Sequence, residues 1–365
     1  MFSGIRGRIN RYLQNYRELD DKGKMSFWID TLVRNAIYII IVLLVIYVQI
    51  DSLKSESSNN FFTLKALVDI LKRASSGMFL ALGVGGIIVL TGTDLSAGRI
   101  MGLTACICAS LLQNPLEEYS AKMFPDMKAP PIIAVMLIAM LAGALVGVFN
   151  GFFVSYFKLH PFIVTLATQL ALQGIALRYV QLGKNGGGPI SGLTEEYKAV
   201  VKGTVTIAKT EIPYYVFYAA IAVLIMWFIW NKTTLGKNMY AVGANPEAAN
   251  VSGISVMATT ILIFVIAGIL YGFSGFITAA RDGSNSSTTG VNAELDAIAA
   301  CVIGGVSFTG GTGKISGIVT GVILLQIMSI ALQWLRVPSA NQYMIMGAII
   351  LAAVSIDMRK YLAKK

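Results

Sequence analysis

The chain has 365 residues, 55% of them apolar or aromatic, and its 36 glycines bring that share to about 65%, against roughly 45–50% in soluble domains. Charged residues make up 13%, about half the usual share, and the net charge is +10. No soluble core hides that much apolar surface, which excludes a soluble enzyme, a disordered chain and a disulfide scaffold and makes several membrane spans the default expectation. Cys106, Cys108 and Cys301 are odd in number and sit in apolar runs, and there is one histidine. A disulfide framework, a zinc site and triad chemistry therefore have little basis, and no metal or cofactor is expected in this chain.

Residues 1–34 are polar and basic, with Arg6, Arg8, Arg11, Arg17, Lys22, Lys24 and Arg34. They lack the short apolar core and small-residue cleavage site of a signal peptide and read as a cytosolic arm. Ten apolar segments follow, at about 35–50, 75–92, 98–113, 131–156, 161–181, 213–231, 257–280, 294–307, 315–335 and 339–356. A crossing helix needs about 20 residues, so 98–113 and 294–307 are short. Short, Gly-interrupted segments of this kind form discontinuous helices in transporters. The amphipathic stretch Phe61 to Arg73 either extends the second span or lies on the surface. The sequence thus predicts an all-α polytopic membrane protein: arm 1–34, one transmembrane domain over 35–356 and a tail over 357–365.

Ten spans put both termini on one side, and the Lys/Arg bias, including Arg359, Lys360, Lys364 and Lys365, places them in the cytoplasm. The +10 charge then marks orientation and gives no reason to invoke nucleic acid. Two hydrophilic loops result: 182–212 outside and 232–256 inside. In the inner loop, Asn245-Pro246 is a helix-start signal and Glu247 suits a first helical turn. The short helix it starts is a surface that a partner can grip. Val89 to Gly98 also echoes Val302 to Gly311, a trace of repeated halves.

Gly310-Gly-Thr-Gly-Lys-Ile-Ser316 invites a phosphate-loop reading, but Phe308 stands where the first glycine is needed and Ile315 follows Lys314. It reads as a tight inner turn, so any ATPase belongs to another subunit. Asp94, Ser96 and Arg99 lie between the second and third segments, where charge is costly unless paired or hydrated. Either Asp94 caps the next helix while Arg99 snorkels to the inner interface, or the break lines the path or gate. Glu294 and Asp296 open the eighth segment after the polar run Ser284 to Asn292. They serve either as helix-start charges or as a polar rim at the outer mouth. Asn150, Gln169 and Gln173 sit in apolar helices, either as interhelical bonds or as amides facing sugar hydroxyls. His160, before Pro161, suits a helix start. Gly143 to Gly147 is a small-residue packing face.

Three of these stretches carry a resemblance: Thr91-Gly-Thr-Asp-Leu-Ser-Ala-Gly-Arg99, Gly236 to Ala249 with Val251-Ser-Gly-Ile254, and Glu294 to Gly311. Together, and in this order, they resemble the permease subunits of monosaccharide ABC importers. The galactose/methyl-galactoside kind is nearer than the ribose/xylose kind. The match runs from about residue 35 to the end and leaves out the arm and the loops at 51–74 and 182–212. It implies a ten-span fold like that of the vitamin-B12 importer (type II), in the bacterial inner membrane. It implies a permease homodimer, an ATPase that binds ATP and Mg, an extracytoplasmic sugar-binding protein and a monosaccharide cargo. Galactose, methyl-galactoside or glucose is the expected sugar; ribose or a nucleoside, or an ion-coupled secondary transporter, are the rivals. The resemblance makes Asn245, Pro246, Glu247, Ala248, Ala249 and Gly253 the ATPase-coupling residues. The expected path or gate residues are Asp94, Ser96, Asn150, Gln169, Glu294 and Asp296.

Overall fold

In hydrocarbon no water satisfies backbone N–H and C=O groups, so apolar runs must close their hydrogen bonds within helices. The computed structural model describes residues 24–25, 39, 41–50, 52, 63–114, 122–207 and 209–362, and is helical through most of them. Apart from residues 24–25, the basic arm lies outside the described residues, as does the end of the tail. In chain order the helices are α1 (Ile41–Ile50), α2 (Leu64–Val89), α3 (Ala97–Leu111), α4 (Ile132–Tyr156), α5 (Pro161–Val180) and α6 (Glu195–Lys202). There follow β1 (Thr204–Ile207), β2 (Thr210–Pro213), α7 (Tyr214–Lys232), α8 (Thr234–Ala244), α9 (Pro246–Val251) and α10 (Val256–Asp282). Last come α11 (Ala293–Ile303), α12 (Ile315–Trp334) and α13 (Ser339–Leu362).

Each of the ten apolar segments overlaps one of these helices. Among the described residues five, α4, α5, α7, α10 and α12, are long and apolar enough to cross a membrane. The amphipathic stretch before the second segment extends it: α2 starts at Leu64, with the Thr63 hydroxyl accepting from the Ala66 N–H at 3.1 Å. The 182–212 loop holds structure its composition did not announce. It contains α6 and, running to Pro213, a hairpin in which β1 and β2 pair antiparallel, Thr204 opposite Pro213. Tyr197 of α6 is fully buried and donates to the Phe276 carbonyl of α10. Burial pushes its phenol far above the ordinary tyrosine range, so it stays a neutral donor.

The described chain divides into two units, residues 59–330 and the two flanking ends. Within 59–330, α10 is the central helix and packs on α4, α3 and α2. Against α4 the approach is backbone to backbone: a β-carbon on Gly143 would fall inside contact distance of the Gly268 carbonyl, and one on Gly268 would meet the Gly143 carbonyl. Small residues are what allow that spacing between membrane helices. The opposite face of α4 exposes Ile133, Leu137, Leu141, Leu145 and Phe149 at four-residue spacing. That stripe has no place in water and suits lipid.

Candidate functional site: a buried polar relay and two cavities

The break between α2 and α3 comes from the chain's local chemistry. Thr91 takes a left-handed conformation (φ 61°), and the Gly92 N–H returns to the Ile87 carbonyl at 2.9 Å, closing α2. Gly305 (φ 80°) and the Val306 N–H on the Cys301 carbonyl, at 2.9 Å, close α11 in the same way. The echo in the sequence is thus a shared helix ending, displaced by one residue from the sequence match.

After the break the chain enters a polar relay. The Asp94 carboxylate accepts from the Ser96 N–H at 2.9 Å and from the Ser96 hydroxyl at 2.6 Å. Ser96 Oγ accepts from Asn150 Nδ2 at 3.0 Å, and Asn150 Oδ1 accepts from the Thr168 hydroxyl at 2.6 Å. Every donor points the same way, Thr168 to Asn150 to Ser96 to Asp94, the arrangement in which hydrogen bonds polarise one another. Asp94, Ser96 and Asn150 are all within 1% of fully buried. Next to Thr168, Gln169 Nε2 donates to Glu294 Oε1 at 3.1 Å. Thr165, one turn back, accepts from the Leu95 N–H at 3.1 Å and donates to the Thr93 carbonyl at 3.0 Å. The relay therefore fastens the break to α4, α5 and α11. Asp94 does not cap α3: Ser96 holds the cap position, and the carboxylate braces the turn before it.

Residues 283–292 set the surroundings of Glu294 and Arg99. After α10 closes on Gly283 (φ 72°), this segment descends beside α3 as non-helical backbone. Asn285 bridges to Ile190, the Cys106 thiol points to the Ser286 carbonyl at 3.3 Å, and Gly290 packs on Gly98. Cys106 and Gly98 lie about 12 Å apart along α3. Glu294 and Asp296 lie in the first turn of α11, as helix-start charges do, and Glu294 is 2% exposed there, with Oε2 lacking a partner. Arg99 Nη1 donates to the Ser287 carbonyl at 3.2 Å. Buried protein contact is what lets such backbone exist at membrane depth.

Asp296, two residues on, faces elsewhere. It lines a cavity of about 540 Å³ with Arg73, Ser76, Arg281, Thr289 and Gln326. The Arg281 guanidinium donates to Ser76 Oγ and, at 2.7 Å, to Asp282. Carboxylate, amide, guanidinium and hydroxyl groups around one cavity can donate to and accept from a polyhydroxy solute. Of the six expected path residues, Asp296 alone is in this wall.

At the other end of the bundle Asn245 caps α9, its side chain accepting from the Ala248 N–H at 3.0 Å, and Glu247 lies in the first turn. Gly253 (φ 82°) ends the helix, with the Ile254 N–H on the Ala249 carbonyl at 3.0 Å. A second cavity, of about 780 Å³, is lined by α9 residues Pro246, Glu247 and Asn250 and by Lys158, His160 and Pro161 of the α4–α5 connection. His160 Nδ1 accepts from the Phe162 N–H at 3.3 Å, the helix-start role its sequence position suggests. Sequence reasoning missed Thr165 and Thr168. Their signal is the polar spacing 165, 168, 169, 173 along one face of an otherwise apolar helix.

A polytopic helical protein with a braced break, a re-entrant segment and polar cavities near both ends has the build of a membrane transporter. Comparison with known sequences gives the family. A model of the branched-chain amino acid transport system permease component family matches residues 66–354, and the chain belongs to that family. It is 44% identical over 305 residues to the galactose/methyl galactoside import permease protein of Escherichia coli, covering 84% of this chain and 90% of the relative. With that of Haemophilus influenzae it shares 41% over 337 residues, 92% of this chain and 97% of the relative. The ribose import permease protein of Escherichia coli is 33% identical over 322 residues, 88% of this chain and 93% of the relative. No solved structure matches.

Proposed function

We propose that this chain is the permease subunit of an ATP-driven importer that carries galactose, methyl galactoside or glucose across the bacterial inner membrane. The observation that carries the reading is the identity of 44% over 84% of the chain to a galactose/methyl galactoside import permease. In this reading residues 35–356 form one permease domain of ten spans in the vitamin-B12-importer-like arrangement, with both termini cytoplasmic. Two copies stand over an ATPase that binds ATP and Mg, and a sugar-binding protein delivers cargo from outside. The chain itself carries no nucleotide site and no cofactor. Helix α9, with Asn245, Pro246, Glu247, Ala248, Ala249 and Gly253, docks on the ATPase. The cavity at Asp296 is the outer part of the sugar path. Asp94, Ser96, Asn150, Gln169 and Glu294 hold the gate's break in place.

A second reading changes only the cargo, and the 33% identity to a ribose import permease supports keeping it. The test is labelled-sugar uptake into vesicles that hold this chain with its ATPase and binding protein. Galactose uptake that requires ATP is expected. Uptake that persists without ATP and collapses with the ion gradient would overturn the importer reading, and preference for ribose would move the cargo.

A further inference from the structure

Three stretches of chain far apart in sequence meet at one point beside α9. The Val89 carbonyl at the end of α2 accepts from the Gly311 N–H at 2.9 Å. Gly243, near the end of α8, lies directly on that bond: a β-carbon there would overlap the Val89 carbonyl and come within 2.8 Å of Gly311 N. Gly310 (φ 80°) packs on Thr91 and the Gly243 carbonyl, and Gly311 (φ 65°) sits 2.9 Å from Ala244 Cα, measured from where its β-carbon would be. The turn holding these glycines is closed on itself, with the Ser307 N–H on the Thr312 carbonyl at 3.2 Å. Tyr240, one turn before Ala244, donates to the Gly313 carbonyl at 2.9 Å and sets its ring edge-on to Trp230, 5.9 Å between centroids. The residue after Ala244 is Asn245, the cap of α9.

Two features make this junction more than packing. The 780 Å³ cavity separates α9 from the α4–α5 connection, so the helix has room to swing on that side. The junction also anchors both helix endings of the shared type: Val89 to Thr91 leads into the Asp94 relay, and 304–314 joins α11, which carries Glu294, to α12. A displacement of α9 passing through Gly243 and Ala244 thus reaches both connections at once.

Resting on the coupling role given above to α9, we propose that the 307–313 turn is the element that receives its motion. Tyr240 and Gly243 are the positioning residues that keep the turn, the end of α2 and the α8–α9 elbow moving as one body. Tyr240→Phe removes one hydrogen bond and keeps the ring; Gly243→Ala drives a methyl into the Val89–Gly311 bond.

The experiment uses the whole complex, permease with ATPase and sugar-binding protein, in proteoliposomes. It measures co-purification of the ATPase, ATP hydrolysis stimulated by the binding protein, and galactose taken up per ATP hydrolysed. The expected result for Tyr240→Phe is full co-purification and a fall of about two- to tenfold in sugar per ATP, the scale of one net hydrogen bond. Gly243→Ala is expected to fall further. A merely structural lesion lowers hydrolysis and uptake together and leaves their ratio at the wild-type value, which would overturn the proposal. Loss of the ATPase from Tyr240→Phe would overturn it too, since the junction would then shape the docking helix and relay nothing. Deletion of 245–249 is the separate control: an ATPase that stays bound and stimulated there sinks the coupling reading itself.

Discussion

Replacing Asn150 with Ala cuts the relay at its middle. The side chain is fully buried and holds two bonds, one from the Thr168 hydroxyl at 2.6 Å and one to Ser96 Oγ at 3.0 Å. Interhelical hydrogen bonds within membranes average about 0.6 kcal/mol each, so the two bonds account for about 1 kcal/mol. The Thr168 hydroxyl is then buried without its acceptor, which costs about 1–3 kcal/mol more. The expected loss is therefore about 2–4 kcal/mol. Thr168→Val removes the donor while keeping the shape, and so removes the orphan as well. In the double variant Asn150→Ala with Thr168→Val, the loss should be smaller than the sum of the two single losses by about 1 kcal/mol or more. Denaturant-induced unfolding of the purified permease in mixed micelles, followed by tryptophan fluorescence, measures all four corners of the cycle. Strict additivity would refute the shared bond, and with it the view that α4 and α5 hold the break between α2 and α3.

Other consequences are tested more briefly. Gly143→Leu should separate α4 from α10 and destabilise the permease by about 1–3 kcal/mol, the usual range for overpacking, whereas Leu141→Ala on the exposed face should do far less; thermal aggregation in detergent compares them. Glu247→Lys should weaken ATPase co-purification while the spans stay folded, and unchanged assembly would count against α9 as the docking helix. Labelling of Glu195→Cys and Asn250→Cys with a membrane-impermeant reagent should reach the first from outside only and the second from inside only; the three native thiols are buried and give little background. Asp296→Ala should slow galactose uptake without loss of the ATPase, and wild-type uptake would remove the 540 Å³ cavity from the sugar path.

The two buried carboxyl groups of the relay are held by hydrogen bonds. Asp94 takes two donors from Ser96, and Glu294 takes one from Gln169. Neither shares an ion pair among the described residues, where the pairs are Lys72 with Asp69, Lys198 with Glu195 and Arg281 with Asp282. Ionisable groups are costly within a membrane and are found facing the interior of a bundle with partners, as these two are.

Some of this was legible from residue types alone. The apolar share required a membrane, because nothing else hides it, and the runs of about 20 residues located the spans α4, α5, α7, α10 and α12. Asn245-Pro246-Glu247 announced α9 through capping chemistry that acts within four residues. The small residues at Gly143 and Gly147 foretold a close helix crossing, and the shortness of 98–113 and 294–307 foretold the short helices α3 and α11. The burial of Glu294 was not legible. It depends on where residues 283–292 travel, and that is set by contacts with Gly98, Cys106 and Ile190, up to about 190 residues away in sequence. The threonines of the relay were missed for a related reason: a hydroxyl in an apolar helix bonds its own backbone as readily as a neighbour. The sequence by itself determined the solvent, the apolar helices and the cap of α9, since each follows from hydrophobicity or from hydrogen bonds made within a turn. Only the tertiary structure decided which polar groups meet. The pairing of Asn150 with Ser96 and Thr168, of Gln169 with Glu294, and of Gly243 with Val89 and Gly311 rests on helix crossings and close backbone approach, and neither leaves a periodic trace in the chain.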